Sequence, residues 1–445
     1  MTGGGACAPS AAVEGEADRA AGRPAFGEAL RVWARIGCLS FGGPAGQIAL
    51  MHREIVEQRA WLGERAYLNA LNFCMLLPGP EAMQLATYVG WRLHGIPGGL
   101  AAGLLFVLPG ALLVLGLALA YTAFGDMPLV GAAFVGIKAA VLVIVLEALL
   151  RISRRALHDH RHILIAAAAF IAIFFLAVPF PLIVAAAAVL GATLLSGGGA
   201  PAPADGTTRV SNTLTTVLVW LGIWLLPLAW LWAWLGSGHV LVELGVFFSK
   251  LAVVTFGGAY AVLAYMAQAA VESHGWLTAG EMLDGLGLAE TTPGPLILVT
   301  EFVGYLAAAR STAESSIPLG LAGAAVTLWM TFAPCFLWIF AGAPYVFRIG
   351  QSPRLQAALE GITAAVVGVI LNLSIWFGLN VLVPGIEERW LGPVRYWLPP
   401  SGGIDPLAAT LAVVAALALF RLRLGVPSTL ALAGSLALLW FALAG

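Results

Sequence analysis

Two short motifs recur in this chain at a single spacing. Phe41-Gly42-Gly43 returns as Phe256-Gly257-Gly258, and Pro78-Gly79-Pro80 returns as Pro293-Gly294-Pro295, each 215 residues further on. Aligned without gaps, residues 41–80 and 256–295 share 14 identities, including Trp61 with Trp276 and Glu57 with Glu272. Further along the spacing becomes 225: Pro109 meets Pro334, and Gly136-Ile137-Lys138-Ala139-Ala140-Val141 meets Gly361-Ile362-Thr363-Ala364-Ala365-Val366. One insertion explains the change. Biased composition does not hold register over a hundred residues, so the chain is two copies of one folding unit.

Only 10% of the residues are Asp, Glu, Lys or Arg and 60% are apolar, whereas soluble domains carry about 25% charged residues. So few charges cannot cover a water-facing surface of this size, and lipid must be the solvent for most of it. A bilayer core requires about 20 apolar residues per helix. The candidate spans are 99–122, 129–150, 163–178, 180–196, 213–235, 319–340, 357–378, 405–420 and 426–444. Regions 26–93 and 241–310 carry the repeated breaks and read as broken helices or re-entrant hairpins. Glycine and proline sit inside apolar runs, where membrane helices tolerate them against protein or a cavity. The expected fold is an all-α polytopic membrane protein with two inverted-topology repeats, about 9 full spans and 4 broken elements. The Gly/Pro/Ala stretch 197–212 separates the halves. The expected domains are a disordered cytosolic tail at 1–25, a first repeat at 26–196, a linker and connecting helix at 197–240, and a second repeat at 241–445.

Orientation follows from basic residues, which concentrate in cytosolic loops. Arg151, Arg154, Arg155 and Arg161 follow the Lys138 helix, but Glu387, Glu388 and Arg389 follow its counterpart. Asp126 precedes the Lys138 helix, but Arg348 and Arg354 precede its counterpart. Between the breaks, Arg53, Arg59 and Arg65 in the first half face Glu272, His274, Glu281 and Asp284 in the second. The bias reverses at each matched place, so the halves are expected to insert oppositely, with the N-terminus in the cytosol. Inverted repeats with broken helices place a substrate near the midplane, at the ends of half-helices. That is the arrangement of a secondary transporter, and neither an enzyme nor a scaffold requires it.

The breaks are the candidate substrate site. Gly42, Gly43, Gly257 and Gly258 let backbone turn sharply or approach a ligand. Pro44 suits the first turn of a new helix, and free N–H groups at such a start attract anions. The plain alternative is a set of kinks that pack against neighbouring helices. Arg35 and Lys250 each stand six residues before the motif phenylalanine. A cation there is costly in lipid: facing inward the two would flank a dianion, and facing outward each would snorkel to the interface. Lys138, whose counterpart is Thr363, is a third cation for the substrate or half of a buried pair with Glu147 or Glu81. Ser40, Thr255, Gln84 and Thr292 either donate hydrogen bonds to an oxyanion or recapture backbone groups freed by the breaks. Glu81 either stabilises the start of its helix or carries a coupled proton. Its counterpart is Leu296, and Glu290 and Glu301 flank the second Pro-Gly-Pro as substitutes. No catalytic dyad or metal cluster is visible inside the spans, and His158, His160 and His162 read as a solvated loop. Cys7, Cys38, Cys74 and Cys335 lack ligand spacing. No cofactor is expected: without a Walker A loop nothing indicates direct ATP use, and the Gly-rich runs follow no strand, as a dinucleotide fold would require. A net charge of −1 leaves no footprint for nucleic acid.

At these motifs the chain resembles the chromate ion transporter family in its long two-domain form. The residues that carry the likeness are Phe41-Gly42-Gly43-Pro44, Pro78 through Trp91 (PGPEAMQLATYVGW), Phe106-Val107-Leu108-Pro109-Gly110 and Gly136-Ile137-Lys138-Ala139. The second half matches through Phe256-Gly257-Gly258 and Thr292-Pro293-Gly294-Pro295. The likeness covers about residues 26–440. It implies export of chromate from the bacterial cytosol across the inner membrane, with the proton-motive force as the usual drive. Sulfate, alike in shape and charge, is the natural competitor. Ala259 stands where the first half has Pro44, and Leu296 where it has Glu81, so the halves are not expected to contribute alike. The residues leave another oxyanion, a membrane enzyme acting on lipid-linked substrate, and a homodimer as open alternatives.

Overall fold

A computed structural model describes residues 24–195, 210–256, 259–312, 315–343, 352–400 and 403–444. Most of the expected 1–25 tail, most of the 197–212 linker, Gly257, Gly258 and Arg348 lie outside the described residues.

Helix α1 (Phe26–Leu39) stops at Ser40, and the chain restarts as α2 (Gly43–His52), which loosens into a π turn at Arg53–Glu57. Helix α3 (Glu64–Leu76) ends before Pro78, because a residue preceding proline is pushed out of the helical region. Helix α4 (Glu81–Phe124) begins directly after Pro80. It is followed by α5 (Pro128–Ala156), α6 (His160–Phe174) and α7 (Phe180–Leu194). Helix α8 (Val210–Leu235) joins the halves.

The second half repeats the order: α9 (Val240–Val254), α10 (Ala259–Gln268) with a π turn at Ala269–Ser273, and α11 (Ala279–Thr291). A 3-10 turn (Leu296–Leu298) leads into α12 (Val299–Ala309), followed by α13 (Ile317–Gly342) and α14 (Pro353–Leu382). The first half merges into α4 what the second half divides into α12 and α13. Helix α4 departs from helical geometry at His94 and Gly95, and the insertion inferred from the change in spacing falls at this joint. The chain ends in α15 (Pro406–Ala416), a π turn (Leu417–Arg421) and α16 (Val426–Ala444).

The all-α membrane fold holds. Among the described residues, six helices are long and apolar enough to cross a bilayer: α4, α5, α8 from Thr213, α13, α14 and α16. The spans expected at 163–178, 180–196 and 405–420 fall on the shorter apolar helices His160–Phe174, Phe180–Leu194 and Pro406–Arg421. Helix α8 exposes Leu214, Leu218, Leu226, Trp230, Trp232 and Trp234, an outward apolar face that suits lipid as the neighbour.

Counterpart helices pack in opposite directions. On α4 and α13, which correspond through Pro109 and Pro334, Gly99 lies against Phe340 and Gly103 against Phe336. Rising numbers on one helix meet falling numbers on the other. A two-fold axis running across the helices produces this arrangement. An axis running along them does not.

One element departs from the expected loop after α14. Strands β1 (Glu387–Leu391) and β2 (Val394–Leu398) form an antiparallel hairpin. Arg395, 2% exposed, pins it. Its guanidinium donates to the carbonyls of Ile173 and Phe174 and to Glu272, and lies 4.7 Å from the Trp397 ring.

Candidate functional site

All four breaks converge, and they are bonded to one another across the halves. The Gly79 N–H donates to the Thr255 carbonyl at 2.9 Å, and the Gly294 N–H donates to the Ser40 carbonyl at 2.9 Å. Each bond maps onto the other under the 215-residue repeat relation. Both glycines have positive φ, +121° at Gly79 and +93° at Gly294, a region that side chains disfavour. A Cβ at Gly79 would lie 2.8 Å from Gln84 Nε2. The Pro-Gly-Pro motif is therefore explained: the prolines stop one helix and free the start of the next, while the glycine brings backbone to the partner half.

Between the breaks lies a cavity of about 20 Å³. Pro44 and Gln47 reach it from the first break, Gly79-Pro80-Glu81 from the second, Thr255 and Ala259 from the third, and Pro295-Leu296 from the fourth. Helices α2 and α4 and the Leu296–Leu298 turn begin here without a side-chain cap. Uncapped first turns present N–H groups and the positive end of the helix dipole, a surface suited to an anion. A space of this size holds about one water. It is too small for an oxyanion.

Gln47 is the site residue that sequence reasoning missed. It is 1% exposed, and its Nε2 donates to the Gly294 carbonyl at 2.6 Å and the Ser40 carbonyl at 3.3 Å. An amide one turn after Pro44, in an apolar run whose counterpart is Val262, was the available signal. Glu81 lines the cavity at the first turn of α4.

The hydroxyls are used differently from the oxyanion role. Ser40 Oγ donates to the Ile36 carbonyl, Thr255 Oγ1 to that of Leu251 and Thr292 Oγ1 to that of Ala289. Gln84 Nε2 donates to the Pro78 carbonyl at 2.7 Å. All four recapture backbone groups freed near the breaks. Gly42 and Gly43 turn the chain with φ of +86° and +70°. Phe41 beside this turn is exposed, and its counterpart Phe256 is half-buried.

Neither outer cation lines the cavity. Arg35 is more than half exposed and lies 3.8 Å from Glu54, a buried carboxylate that also bonds Arg59. Lys250 is exposed, in a groove of about 580 Å³ that also holds Glu243, His274 and Trp232. Helix geometry gives the reason. Five residues at 100° each carry Arg35 and Lys250 about 140° around the helix from Ser40 and Thr255. When the latter face the breaks, the cations face away.

Lys138 pairs with neither Glu81 nor Glu147. Its Nζ lies 3.2 Å from Asp284 Oδ1 in the other half, and Glu147 pairs instead with Arg151 at 3.3 Å. Two further buried carboxylates occupy the second half. Glu290 accepts from the Tyr260 hydroxyl at 2.8 Å, and Glu301, 1% exposed, has a buried Oε2 without a partner among the described residues.

A family model described as chromate transporter matches residues 27–192 and again 242–440. The chain belongs to the chromate transporter family. Its curated relatives include a probable chromate transport protein of Synechococcus elongatus, 28% identical over 86% of this chain and 92% of the relative. A chromate transport protein of Cupriavidus metallidurans is 30% identical over 77% of this chain and 80% of the relative. Another, of Pseudomonas aeruginosa, is 33% identical over 76% and 77%. No solved structure matches the chain. The family match falls on the two stretches that carry the repeated breaks.

Proposed function

We propose that this chromate transporter family member moves chromate out of the cytosol across the inner membrane, driven by the proton-motive force, by alternating access of two inverted halves. The observation that carries this reading is the junction of four breaks, closed by a pair of backbone bonds that exchange under the repeat. Relatives named for chromate transport supply the substrate class. The antiparallel packing of α4 against α13 supports opposite insertion of the halves, with domains at 26–196 and 241–445 and a cytosolic N-terminus.

The dianion sits between the uncapped starts of α2, α4 and the Leu296–Leu298 turn, with the Gln47 amide as a neutral donor. Rocking of one half against the other breaks the Gly79–Thr255 and Gly294–Ser40 bonds and enlarges the cavity. Glu81, facing the same cavity, is the acid whose proton couples transport to the gradient. Arg35 and Lys250 act at the approaches, where cations raise the local concentration of a dianion. Transport, not turnover of a bonded substrate, is the activity that these groups fit.

The test is uptake of chromate by inside-out vesicles holding the purified protein, with an imposed pH gradient and with excess sulfate as competitor. Gradient-dependent accumulation above protein-free vesicles is expected. Equal uptake with and without protein would sink the proposal, and stronger sulfate than chromate flux would change the substrate.

A further inference from the structure

We propose that Asp284 and Lys138 form a latch between the halves at one mouth of the pathway, and that a proton on the Asp284 carboxylate releases it. The proposal rests on the transport reading above but not on the identity of the substrate.

Asp284 projects from α11 and is 4% exposed. Its Oδ1 lies 3.2 Å from Lys138 Nζ on α5, and its Oδ2 accepts the Tyr121 hydroxyl of α4 at 2.9 Å. Helices α4 and α5 belong to the first half and α11 to the second, so one carboxylate ties three helices across the boundary. The two contacts differ in kind. Tyr121 makes an aligned hydrogen bond, whereas Lys138 is held at ion-pair distance without one.

Solvent reaches the neighbourhood from the outer end of α11. Glu281, one turn before Asp284, bonds Arg310 and caps α11 through Thr278. Glu281, Arg310 and Thr278 border an open groove of about 740 Å³, and the Lys138 side chain is 26% exposed. The charged and titratable groups that act on Asp284 are therefore Lys138 from α5, Tyr121 from α4 and Glu281 on its own helix, with Arg310 beyond Glu281.

Separating α5 from α11 while both partners are charged would leave a buried carboxylate without a counter-charge, the costly way to break such a pair. A proton taken from water at the mouth converts the carboxylate to a neutral acid. Lys138 keeps its charge and its share of water, and the ion pair no longer opposes separation. When the helices close again the proton returns to solvent and the pair re-forms. The symmetry-related place has no such device: Asn69 of the first half stands at the position of Asp284, and Thr363 of the second at that of Lys138. A neutral pair cannot respond to pH, so the latch acts on one mouth alone.

Spin labels at Gly131→Cys on α5 and Ala279→Cys on α11, in the full chain with its native cysteines replaced and held in liposomes, read the separation directly and need no chromate. On going from about pH 8 to about pH 4, the longer-distance population should grow by at least about threefold. Asp284→Asn should give the acid distribution at every pH. Lys138→Met combined with Asp284→Leu removes both charges without stranding one and should be equally indifferent to pH. A wild-type distribution that ignores pH, or an Asp284→Asn protein that keeps the wild-type response, overturns the proposal. Chromate uptake measured on the same samples separates this from the transport reading: loss of uptake with an intact pH response defeats only the latter.

Discussion

Helices α3 and α11 occupy matching places, each running from an outer turn to a Pro-Gly-Pro break, yet they carry opposite chemistry. Where α11 has Glu281, Asp284 and Glu290, α3 has Ala66, Asn69 and Met75. The reverse holds at the next element, where Glu81 in the first half faces Leu296 in the second. The first half instead gathers its buried charge at Glu54, between Arg35 and Arg59. Backbone geometry has been kept in duplicate, down to the π turns at Arg53–Glu57 and Ala269–Ser273. Side-chain chemistry has been divided. Under the proposed alternating access, a symmetrical junction would open in turn to two different sides, while proton-sensitive groups would serve only where water of the right pH reaches them.

That comparison can be broken most sharply at the junction itself. Gly79→Val and Gly294→Val should each lower chromate flux at least about tenfold, because a side chain at these φ values strains the backbone by roughly 1–3 kcal/mol and displaces the bond to the other half. Vesicle flux, normalised to folded protein, checks this. If only one of the two substitutions matters, the breaks are not functional equals.

The hairpin after α14 has no partner in the first half, so Arg395→Ala tests a purely one-sided feature. It leaves Glu272 and the carbonyls of Ile173 and Phe174 without their donor. A loss of roughly 3–5 kcal/mol in stability is expected, with flux per folded molecule nearly unchanged. Unfolding followed in detergent measures the first and vesicle assays the second. Gln47→Leu, whose counterpart is already apolar Val262, should leave the Gly294 carbonyl short of a donor at a cost of roughly 1–3 kcal/mol, with a several-fold drop in flux. Survival at wild-type rate would return Gln47 to a packing role.

Arg35→Ala and Lys250→Ala, placed alike in both halves, should each reduce flux by less than about threefold, more at low salt than at high salt. A larger loss in either would restore that cation to the substrate cradle. The smallest effect is expected in the loop before α6. Asp159 accepts the backbone N–H groups of His162 and Arg161, which hold its carboxyl below the ordinary value. Because its pKa in the folded protein is depressed, this cap contributes fully above the ordinary carboxylate range. It is lost as pH falls through the lower, folded value. Amide protection at Arg161 and His162, corrected for the intrinsic pH dependence of exchange, should fall only in acid.

Much of this molecule could be read from the chain. The register of Phe-Gly-Gly and Pro-Gly-Pro across 215 residues disclosed the duplication and the breaks that meet at one junction, because proline and glycine act on backbone locally and identically in both copies. Scarce charge and long apolar runs disclosed lipid as the solvent. Which way each polar side chain points was settled only by packing. Arg35 and Lys250 turned outward because Ser40 and Thr255 on the same helices turned inward. Lys138 took Asp284 as partner because α11 of the other half, distant in sequence, lies against α5. Such pairings depend on how two copies dock, and docking is decided by the whole fitted surface rather than by any local run of residues.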